Sequence, residues 1–284
     1  MKILLTGAAG FIGFHTARHL LARGDSVVGI DNLNDYYPVS LKRDRLAELQ
    51  KFHGFTFRRI DIAGRGLAEE LGAQAADTDV IVHLAAQAGV RYSTENPYAY
   101  VDSNVTGQVA VFELAARLPK RPPVAYASSS SVYGAGEAAP FSEAARADTP
   151  ISVYAATKRA GELLAHAYRD IHGVAATGLR FFTVYGRYGR PDMAPWLFTD
   201  AILRGRPISV FNDGRMRSDC THVDDIAKCV VAATDRILAR PPGDVELTFA
   251  DIRLAARDLD FQPRVTLRDG IADFVGWYRT YARL

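Results

Sequence analysis

Three glycines directly after the first apolar run constrain this chain more than any other feature of its sequence. Gly7, Gly10 and Gly13 follow the run at residues 2–6, and a helical pattern begins beside them. Glycines let the backbone turn tightly and approach a pyrophosphate, whose charge is stabilised by the free N–H groups of a helix N-terminus. The spacing G-x-x-G-x-x-G departs from the simplest fingerprint, and an ordinary tight turn is the alternative. The position after an amino-terminal strand favours a dinucleotide site.

Short β-branched runs alternate with longer segments of helical periodicity. This alternation is typical of a parallel sheet covered by helices on both faces and wound in right-handed crossovers. The predicted strands span residues 2–6, 26–31, 55–60, 80–83, 124–128 and 175–181. The predicted helices between them span residues 12–23, 41–51, 66–72, 97–117 and 152–172. We therefore predict an α/β fold with a doubly wound parallel (Rossmann) sheet, which binds ligands at the carboxyl ends of its strands.

Beyond Phe182 this alternation ends. A loop rich in Gly, Arg and Pro is followed by predicted helices at residues 194–204, 224–238 and 267–282, with short extended pieces near Ile208 and Thr221. We expect residues 183–284 to form a smaller substrate-binding domain and residues 1–182 to form the dinucleotide-binding domain, with some strand and helix exchange between the two.

Composition excludes several classes of partner. The 34 basic and 32 acidic side chains are interspersed and leave a formal charge of +2, which gives no support for a nucleic-acid or membrane partner. Cys220 and Cys229 have no histidine cluster around them, so neither a disulfide scaffold nor a metal site is implied. No segment approaches the roughly 20 apolar residues that span a bilayer. We expect a cytoplasmic protein.

Two acidic residues end predicted strands. Asp31 lies roughly 20 residues beyond the glycines, where an acid accepts hydrogen bonds from an adenosine ribose and repels a 2′-phosphate. It therefore favours NAD over NADP, although a solvated turn aspartate is the alternative. Asp61 ends the third strand and either faces the adenine or caps the next helix.

A serine run and a Tyr/Lys pair suggest the reacting groups. Serines occupy residues 128–131 at the end of the fifth predicted strand, and Tyr154 precedes Lys158 by four residues on a predicted helix. Residues i and i+4 share a helix face, and a nearby ammonium stabilises a phenolate, which makes a tyrosine a usable base near neutral pH. Such a pair is common on protein surfaces. Here the pair follows the glycine turn, the strand-end acid and the serines along the chain, and this combination favours an active site.

With these features in register, the sequence resembles the extended short-chain dehydrogenases/reductases, and among them the UDP-glucuronic acid 4-epimerases. The resemblance runs from residue 1 to about residue 236 and resumes at residue 242. The most distinctive blocks are Asp-Asn-Leu-Asn-Asp-Tyr-Tyr at 31–37, Leu-Ala-Ala-Gln-Ala-Gly-Val-Arg-Tyr at 84–92, the serine run, Tyr-Ala-Ala-Thr-Lys at 154–158 and Leu-Arg-Phe-Phe-Thr-Val-Tyr-Gly at 179–186. Several blocks in order are far more specific than any one of them.

The resemblance implies a catalytic triad of Ser129, Tyr154 and Lys158, with Ser128 or Ser130 in place of Ser129 if the register is off by one. In such enzymes the tyrosine removes the proton of the sugar 4-hydroxyl while hydride passes from C4 to NAD. The lysine holds the nicotinamide ribose and lowers the tyrosine pKa. The 4-keto sugar then turns about the diphosphate and takes the hydride back on its other face.

The resemblance also assigns the binding residues. Those implied for NAD are Gly7, Gly10, Phe11, Ile12, Gly13, Asp31, Asn32, Asp61, Ile62, Leu84, Ala85, Ala86, Asn104, Ser128, Tyr154, Lys158 and Phe181. Those implied for the UDP-sugar are Gln87, Arg91, Ser129, Ser130, Thr183, Arg190, Met193, Val210, Phe211 and Arg217.

Among these, Arg190 with Ser130 and Thr183 is expected to hold the sugar carboxylate. A 4-keto uronic acid is a β-keto acid and loses carbon dioxide easily, so an epimerase must restrain that carboxylate. Arginine suits the task because its planar fork donates two parallel hydrogen bonds. An exposed loop cation is the alternative for Arg190.

The chain departs from its relatives in two places. Where they carry a second arginine before an aspartate, this chain has Ser218, and Cys220 replaces an aromatic residue. Either Arg217 substitutes or the affinity for the diphosphate is reduced. Between Arg236 and Pro242 the relatives also hold a further segment. Either that segment is omitted from the sequence or the chain is a shortened variant, and omission is favoured because a deletion would expose apolar surface.

Other activities remain open. A UDP-glucuronate decarboxylase differs only in how the carboxylate is held, and a UDP-galactose 4-epimerase has no use for Arg190. Dehydratases carry an Asp-Glu pair where this chain has Ser130 and Ser131. A non-catalytic NAD-binding sensor or scaffold commonly loses the tyrosine or the lysine. Apolar faces on the helices predicted at residues 97–117 and 152–172 suggest a homodimer, although they can equally belong to the core.

Overall fold

Seven parallel strands form the central sheet of the protein, in a computed structural model that describes residues 1–135, 140–210, 218–239, 247–248, 256–258 and 265–282. The order across the sheet is β3-β2-β1-β4-β5-β6-β9, and β7 pairs with β8 in a separate parallel ribbon. The strands are β1 (Lys2–Thr6), β2 (Ser26–Asp31), β3 (Phe55–Arg59), β4 (Val80–His83), β5 (Val124–Ser129), β6 (Ala176–Phe181), β7 (Thr183–Tyr185), β8 (Cys220–His222) and β9 (Leu247–Thr248). The order reverses between β1 and β4, which confirms the doubly wound Rossmann fold.

Helices connect the strands and cover both faces of the sheet. They are α1 (Phe11–Ala22), α2 (Val39–Leu49), α3 (Leu67–Leu71), α4 (Ala73–Ala76), α5 (Tyr92–Glu95), α6 (Pro97–Val101), α7 (Gly107–Arg117), α8 (Val153–His172), α9 (Ala194–Leu203), α10 (Val223–Ala239) and α11 (Leu267–Tyr281). None of the helices in the described ranges is long and apolar enough to cross a membrane.

The helix predicted over residues 97–117 is interrupted. A π-helical turn, Asp102–Thr106, joins α6 to α7 and holds the buried Asn104. The side-chain amide of Asn104 donates to the carbonyl of Gln87 at 3.0 Å, and its oxygen accepts from the Gln87 N–H at 2.8 Å. The wider turn therefore places a polar side chain where it holds the loop that follows β4, as π-helical turns often do near functional sites.

The two faces of the sheet carry separate apolar cores. Side chains alternate along a strand, so Ile3 and Leu5 of β1 point to one core while Leu4 points to the other. The first core also contains Phe14 of α1 and Val230 of α10. These cores fix the strand ends that carry polar residues at one edge of the sheet.

The chain beyond β6 returns to the sheet. The backbone of β9 pairs with β6, and α10 packs against α1. Thr221 lies in β8 as predicted, whereas the expected extended piece near Ile208 lies outside any strand. Later segments thus contact the helix that follows the glycine turn.

Candidate active site

The glycine turn between β1 and α1 is too tight for other residues. A Cβ atom on Gly13 would lie 2.0 Å from the carbonyl oxygen of Gly7, and one on Gly7 would lie 2.7 Å from the backbone nitrogen of Ala85. Gly7 also has a φ of 73°, a conformation that favours glycine. The N-cap residue Gly10 has no side chain that could cap α1, so the first N–H groups of the helix are available to an anion.

Asp31 ends β2 beside this turn. Its carboxylate accepts hydrogen bonds from the backbone N–H groups of Ala9, at 3.2 Å, and Leu33, at 2.8 Å. The Nζ atom of Lys42 lies 4.0 Å from the same carboxylate and donates to Asn34 at 2.7 Å. Asp31 is therefore an oriented, buried acid rather than a freely solvated turn residue.

Asp61 follows β3 and does not cap the next helix, because α3 begins after Gly66 without a side-chain cap. Its carboxylate accepts from the side chain of Asn32 at 3.0 Å and from the backbone N–H of Ala63 at 2.9 Å. It also lines the cleft beside Asp31. Asp61 therefore closes the turn after β3 and lines the cleft, and its contact with an adenine stays a prediction.

The end of β5 and the first turns of α8 bring the expected reacting groups together. Ser129 is the last residue of β5, and Tyr154 and Lys158 lie one turn apart in α8. The Ser152 side chain accepts from the Ala155 N–H at 3.1 Å, which caps the start of α8. Lys158 Nζ donates to the carbonyl of Ala127 at 2.8 Å, so the ammonium is held against β5.

Burial and neighbouring charges change the acidity of these groups. Desolvation raises the pKa of Tyr154, while a hydrogen bond from Ser129 and the charge of Arg190 act in the opposite direction. Desolvation lowers the pKa of Lys158 to about 8, against the negative charge of Glu162. Arg190, which the resemblance assigns to the sugar carboxylate, is thus a cation that also favours the phenolate of Tyr154.

Arg190 lies in the loop between β7 and α9, and its side chain is 19% exposed. Its Nε atom donates to Asp192 Oδ1 at 3.0 Å, and Nη2 donates to Asp192 Oδ2. Burial alone would lower the pKa of Arg190, but the ion pair with Asp192 holds it above its ordinary value. Arg190 is thus a fixed cation of the cleft rather than an exposed loop cation.

One continuous cleft joins the glycine turn to Tyr154 and Arg190. The expected site residues that line it are Gly7, Gly10, Phe11, Ile12, Gly13, Asp31, Asn32, Asp61, Ile62, Leu84, Ala85, Ala86, Gln87, Ser128, Ser129, Ser130, Tyr154, Lys158, Phe181, Thr183, Arg190 and Met193. The tight glycine turn, the oriented acid and the uncapped N-terminus of α1 fit a dinucleotide.

Some expected site residues lie elsewhere. Asn104 stands behind the cleft and bonds Gln87 and Thr157. Arg91 is exposed and does not line this cleft in the described structure, and Val210 is 55% exposed. Phe211 and Arg217 fall outside the described residues.

A comparison of the sequence with models of known protein families identifies the family of this chain. The model of the NAD dependent epimerase/dehydratase family matches residues 3–247. The chain belongs to this family. The extended short-chain dehydrogenase/reductase expected from the sequence is thereby confirmed.

Several members of this family that are similar to the chain are named as UDP-glucuronate 4-epimerases. The chain is 43% identical over 333 residues to UDP-glucuronate 4-epimerase 4 of Arabidopsis thaliana, and the alignment covers 99% of this chain and 76% of the relative. It is 41% identical to a probable UDP-glucuronate 4-epimerase of Rhizobium meliloti, covering 98% of this chain and 97% of the relative. A crystal structure of UDP-glucuronic acid 4-epimerase from Bacillus cereus, in complex with UDP-glucuronic acid and NAD, matches with a TM-score of 0.86 at 31% identity, over 99% of this chain and 100% of that one.

These family members are longer within the matched region. The Arabidopsis alignment has 333 positions, whereas this chain has 284 residues. The relative therefore has residues where the alignment leaves gaps in this chain, in agreement with the further segment that the resemblance implies for the relatives. Its expected place between Arg236 and Pro242 overlaps residues 240–246, which lie outside the described residues, and α10 continues through Arg236 to Ala239.

Sequence reasoning missed several residues of this family member's cleft. Lys42, Tyr36 and Gly89 line it, and Asp192 holds Arg190. Tyr36 and Gly89 fall within the sequence blocks that carry the family resemblance, so the sequence contained a signal for both. The sequence contained no such signal for Lys42, because a lysine on a polar helix is typical of a solvated surface. Sequence reasoning also missed Glu162, which is buried in α8 behind Ser128 and does not line the cleft in the described structure.

Proposed function

We propose that this protein is an NAD-dependent 4-epimerase that interconverts UDP-glucuronic acid and UDP-galacturonic acid. The observation that carries the proposal is that Ser129, Tyr154 and Arg190 line one cleft together with the glycine turn. Such a cleft offers a hydroxyl donor, a base and a carboxylate-binding cation within one site. The named activity of the Arabidopsis relative supports the same substrate.

The residues present fit NAD. Gly7, Gly10 and Gly13 permit the tight turn that brings the N-terminus of α1 to the cleft, where a pyrophosphate can bind, and Asp31 is placed for the adenosine ribose. Lys158 would hold the nicotinamide ribose at the other end of the cleft. When bound, NAD supplies a hydride acceptor for C4 of the sugar and a donor for its return.

The side chains of the protein handle the proton and the oxygen at C4. Tyr154 as phenolate accepts the proton of the 4-hydroxyl and returns it after the sugar has turned. Ser129 donates a hydrogen bond to the 4-oxygen, since its hydroxyl lies beside Tyr154. The charge of Arg190 favours the phenolate and so supports proton removal.

We propose that other groups of the same cleft hold the carboxylate of the sugar. Arg190, Ser130 and Thr183 line the cleft and are the proposed partners. A carboxylate kept near the plane of the C4 carbonyl keeps its carbon dioxide, because loss requires the C5 to carboxylate bond to stand perpendicular to that plane. A UDP-glucuronate decarboxylase would hold it otherwise, and a UDP-galactose 4-epimerase would leave Arg190 without a substrate partner.

Turnover in deuterated water tests this proposal. Purified protein is given UDP-glucuronate without added NAD, and the products are identified by NMR. The expected product is UDP-galacturonate without deuterium at C4, because the hydride returns to the carbon from which it came. Carbon dioxide and a UDP-pentose would instead identify a decarboxylase. Turnover of UDP-galactose but not of the uronate would contradict the assignment of Arg190.

A tyrosine substitution separates an enzyme from an NAD-binding sensor or scaffold. Tyr154→Phe is expected to abolish turnover while NAD stays bound, because only the phenol oxygen is lost. Tyr98→Phe is the matched control, since Tyr98 is 78% exposed on α6. Full activity in Tyr154→Phe would contradict the proposed mechanism, and wild-type protein with bound NAD but no turnover would favour the sensor.

Three further expectations stay proposals. We propose that residues 183–284 carry the UDP-sugar and that residues 1–182 carry NAD. A homodimer is supported by Leu163 and Ile171, which are apolar and exposed on α8, and light scattering in solution tests it. A cytoplasmic location is to be tested by cell fractionation.

A further inference from the structure

Asp192 and Tyr36 fix the guanidinium of Arg190 from one side. Asp192 accepts from Nε at 3.0 Å and from Nη2 of Arg190. The hydroxyl of Tyr36 donates to Asp192 Oδ2 at 2.9 Å. The guanidinium carbon also lies 5.9 Å from the centre of the Tyr36 ring, within the range of a cation–π contact. Two side chains thus restrain one cation.

The ion pair of Arg190 with Asp192 leaves one edge of the guanidinium for a ligand. A guanidinium has five N–H donors, and two of its edges can each meet a carboxylate with parallel hydrogen bonds. Asp192 takes the edge formed by Nε and Nη2. The edge that includes Nη1 is the one left for a second carboxylate, and Arg190 lines the same cleft as Tyr154.

Three loops, each following the carboxyl end of a strand, create this arrangement. Tyr36 comes from the loop after β2, Gly89 from the loop after β4, and Arg190 with Asp192 from the loop after β7. A Cβ atom on Gly89 would lie 2.7 Å from the Tyr36 hydroxyl and 3.4 Å from Arg190 Nη2. The absence of a side chain at Gly89 is therefore what lets the tyrosine and the arginine approach each other.

We propose that Asp192 and Tyr36 are positioning residues that set the preference of this site for a carboxylated sugar over a neutral one. They act through Arg190, whose long side chain would otherwise lose rotamer freedom when the sugar binds. This inference rests on the proposed function, because Arg190 meets a substrate carboxylate only if the substrate is a uronate. Asp192 also balances the charge of Arg190 before the sugar arrives.

Binding measurements on the NAD-loaded protein test the inference. The dissociation constants of UDP-glucuronate and UDP-glucose are measured by calorimetry, and their ratio is compared between variants. Asp192→Asn is expected to reduce the preference for the uronate by about 10- to 100-fold, as loss of a positioning partner commonly does. Tyr36→Phe keeps the ring and is expected to reduce it by about three- to tenfold. The affinity for UDP-glucose should stay near that of the wild type.

Asp273→Asn is the matched control. Asp273 pairs with Arg187, a neighbour of Arg190 in the same loop, but both side chains lie on the surface, at 41% and 51% exposure. This variant should leave the ratio unchanged. The carbon dioxide released per UDP-glucuronate consumed is a second readout, and it should rise in Asp192→Asn because the carboxylate is less restrained.

Several outcomes would overturn the inference. An unchanged ratio in Asp192→Asn, or tighter uronate binding there, would show that Asp192 does not position Arg190 for the ligand. A purely structural role would lower the melting temperature and both affinities together. Should Asp192→Asn fail to fold, an unchanged ratio in Tyr36→Phe decides against the inference. If the wild type neither prefers nor converts UDP-glucuronate, the proposed function itself fails. If the wild type prefers and converts UDP-glucuronate and both variants keep the same ratio of dissociation constants, only the inference fails.

Discussion

Glu162 forms an ion pair with Arg180 in the interior of the protein, through hydrogen bonds of 2.7 and 2.9 Å. The two side chains are 1% and 3% exposed. The hydroxyl of Ser128 donates to the same carboxylate at 2.6 Å. The pair therefore ties α8, which carries Lys158, to β6 and to the end of β5, and it fixes the distance between the helix and the sheet edge where the reacting groups lie.

Glu162→Gln should destabilise the protein strongly. The substitution leaves the Arg180 charge buried without its carboxylate, and breaking a buried pair in this way costs about 3–5 kcal/mol. Glu113→Gln is the control, because Glu113 bonds Tyr168 and Arg117 at the surface. Its cost is expected to stay below about 1 kcal/mol. Urea unfolding at neutral pH measures both, and equal losses would contradict the special role of the buried pair.

The same pair predicts how stability depends on pH. Burial alone would raise the pKa of Glu162, but the hydrogen bonds from Arg180, Ser128 and Arg159 outweigh it and hold the pKa below its ordinary value. A carboxyl group with a depressed pKa stabilises the fold above its unfolded-state pKa, of about 4.3, and this contribution is lost as the pH falls further. Unfolding free energies of the wild type should therefore fall between about pH 5 and pH 3, and Glu162→Gln should show a shallower fall.

Gly13→Ala should disrupt the glycine turn. The added Cβ atom would lie 2.0 Å from the Gly7 carbonyl oxygen, which is backbone and cannot rotate away. We expect a loss of about 1–3 kcal/mol in the free energy of unfolding and a lower NAD content after purification. Gly276→Ala is the matched control: Gly276 lies in α11 with no atom within 4 Å of the added Cβ. It should gain about 0.5–1 kcal/mol from helix propensity. Unchanged NAD content in Gly13→Ala would contradict the proposed pyrophosphate site.

The sheet and the glycine turn are predictable from the sequence because local chemistry decides both. Apolar β-branched runs become buried parallel strands, and only glycine tolerates the turn at Gly7. Ser152 places the start of α8 where the helical pattern begins, so Tyr154 and Lys158 come to one face without any long-range information. These features depend on neighbours within a few residues, which the sequence displays directly.

Other features depend on distant partners and escape such reasoning. The hydrogen bond from Tyr36 to Asp192 joins residues 156 positions apart, so no local pattern predicts it. The burial of Lys42 likewise results from packing against Asn34 and Asp31, although its helix has a polar sequence. The π-helical turn around Asn104 also requires the loop after β4 as its partner.

Ser129→Ala should shift the pH dependence of turnover. Burial raises the pKa of Tyr154, and the Ser129 hydrogen bond opposes this rise by stabilising the phenolate. Without that bond the phenolate forms at higher pH, so the acid limb of the kcat profile should move to higher pH. The rate at neutral pH should fall on the order of 100-fold, as for the loss of an oxyanion donor. Ser142→Ala, at an exposed turn, is the control, and an unmoved acid limb in Ser129→Ala would contradict the role of Ser129 toward Tyr154.

Asp31→Asn should weaken the discrimination between NAD and NADP. The carboxylate lies at the carboxyl end of β2, where it can bond a ribose and repel a 2′-phosphate, and Lys42 lies 4.0 Å away as a cation for that phosphate. Loss of hydrogen bonds to a charged acceptor should lower the NAD preference by about tenfold or more, measured as the ratio of the two dissociation constants. Asp25→Asn is the matched control, because Asp25 is a buried carboxylate just before the opposite end of β2 and bonds the N-terminus and Arg23. It should lower stability and leave the ratio unchanged, since ligands bind at the carboxyl ends of parallel strands. Equal changes in both variants would show that Asp31 acts through the stability of β2 rather than on the ribose.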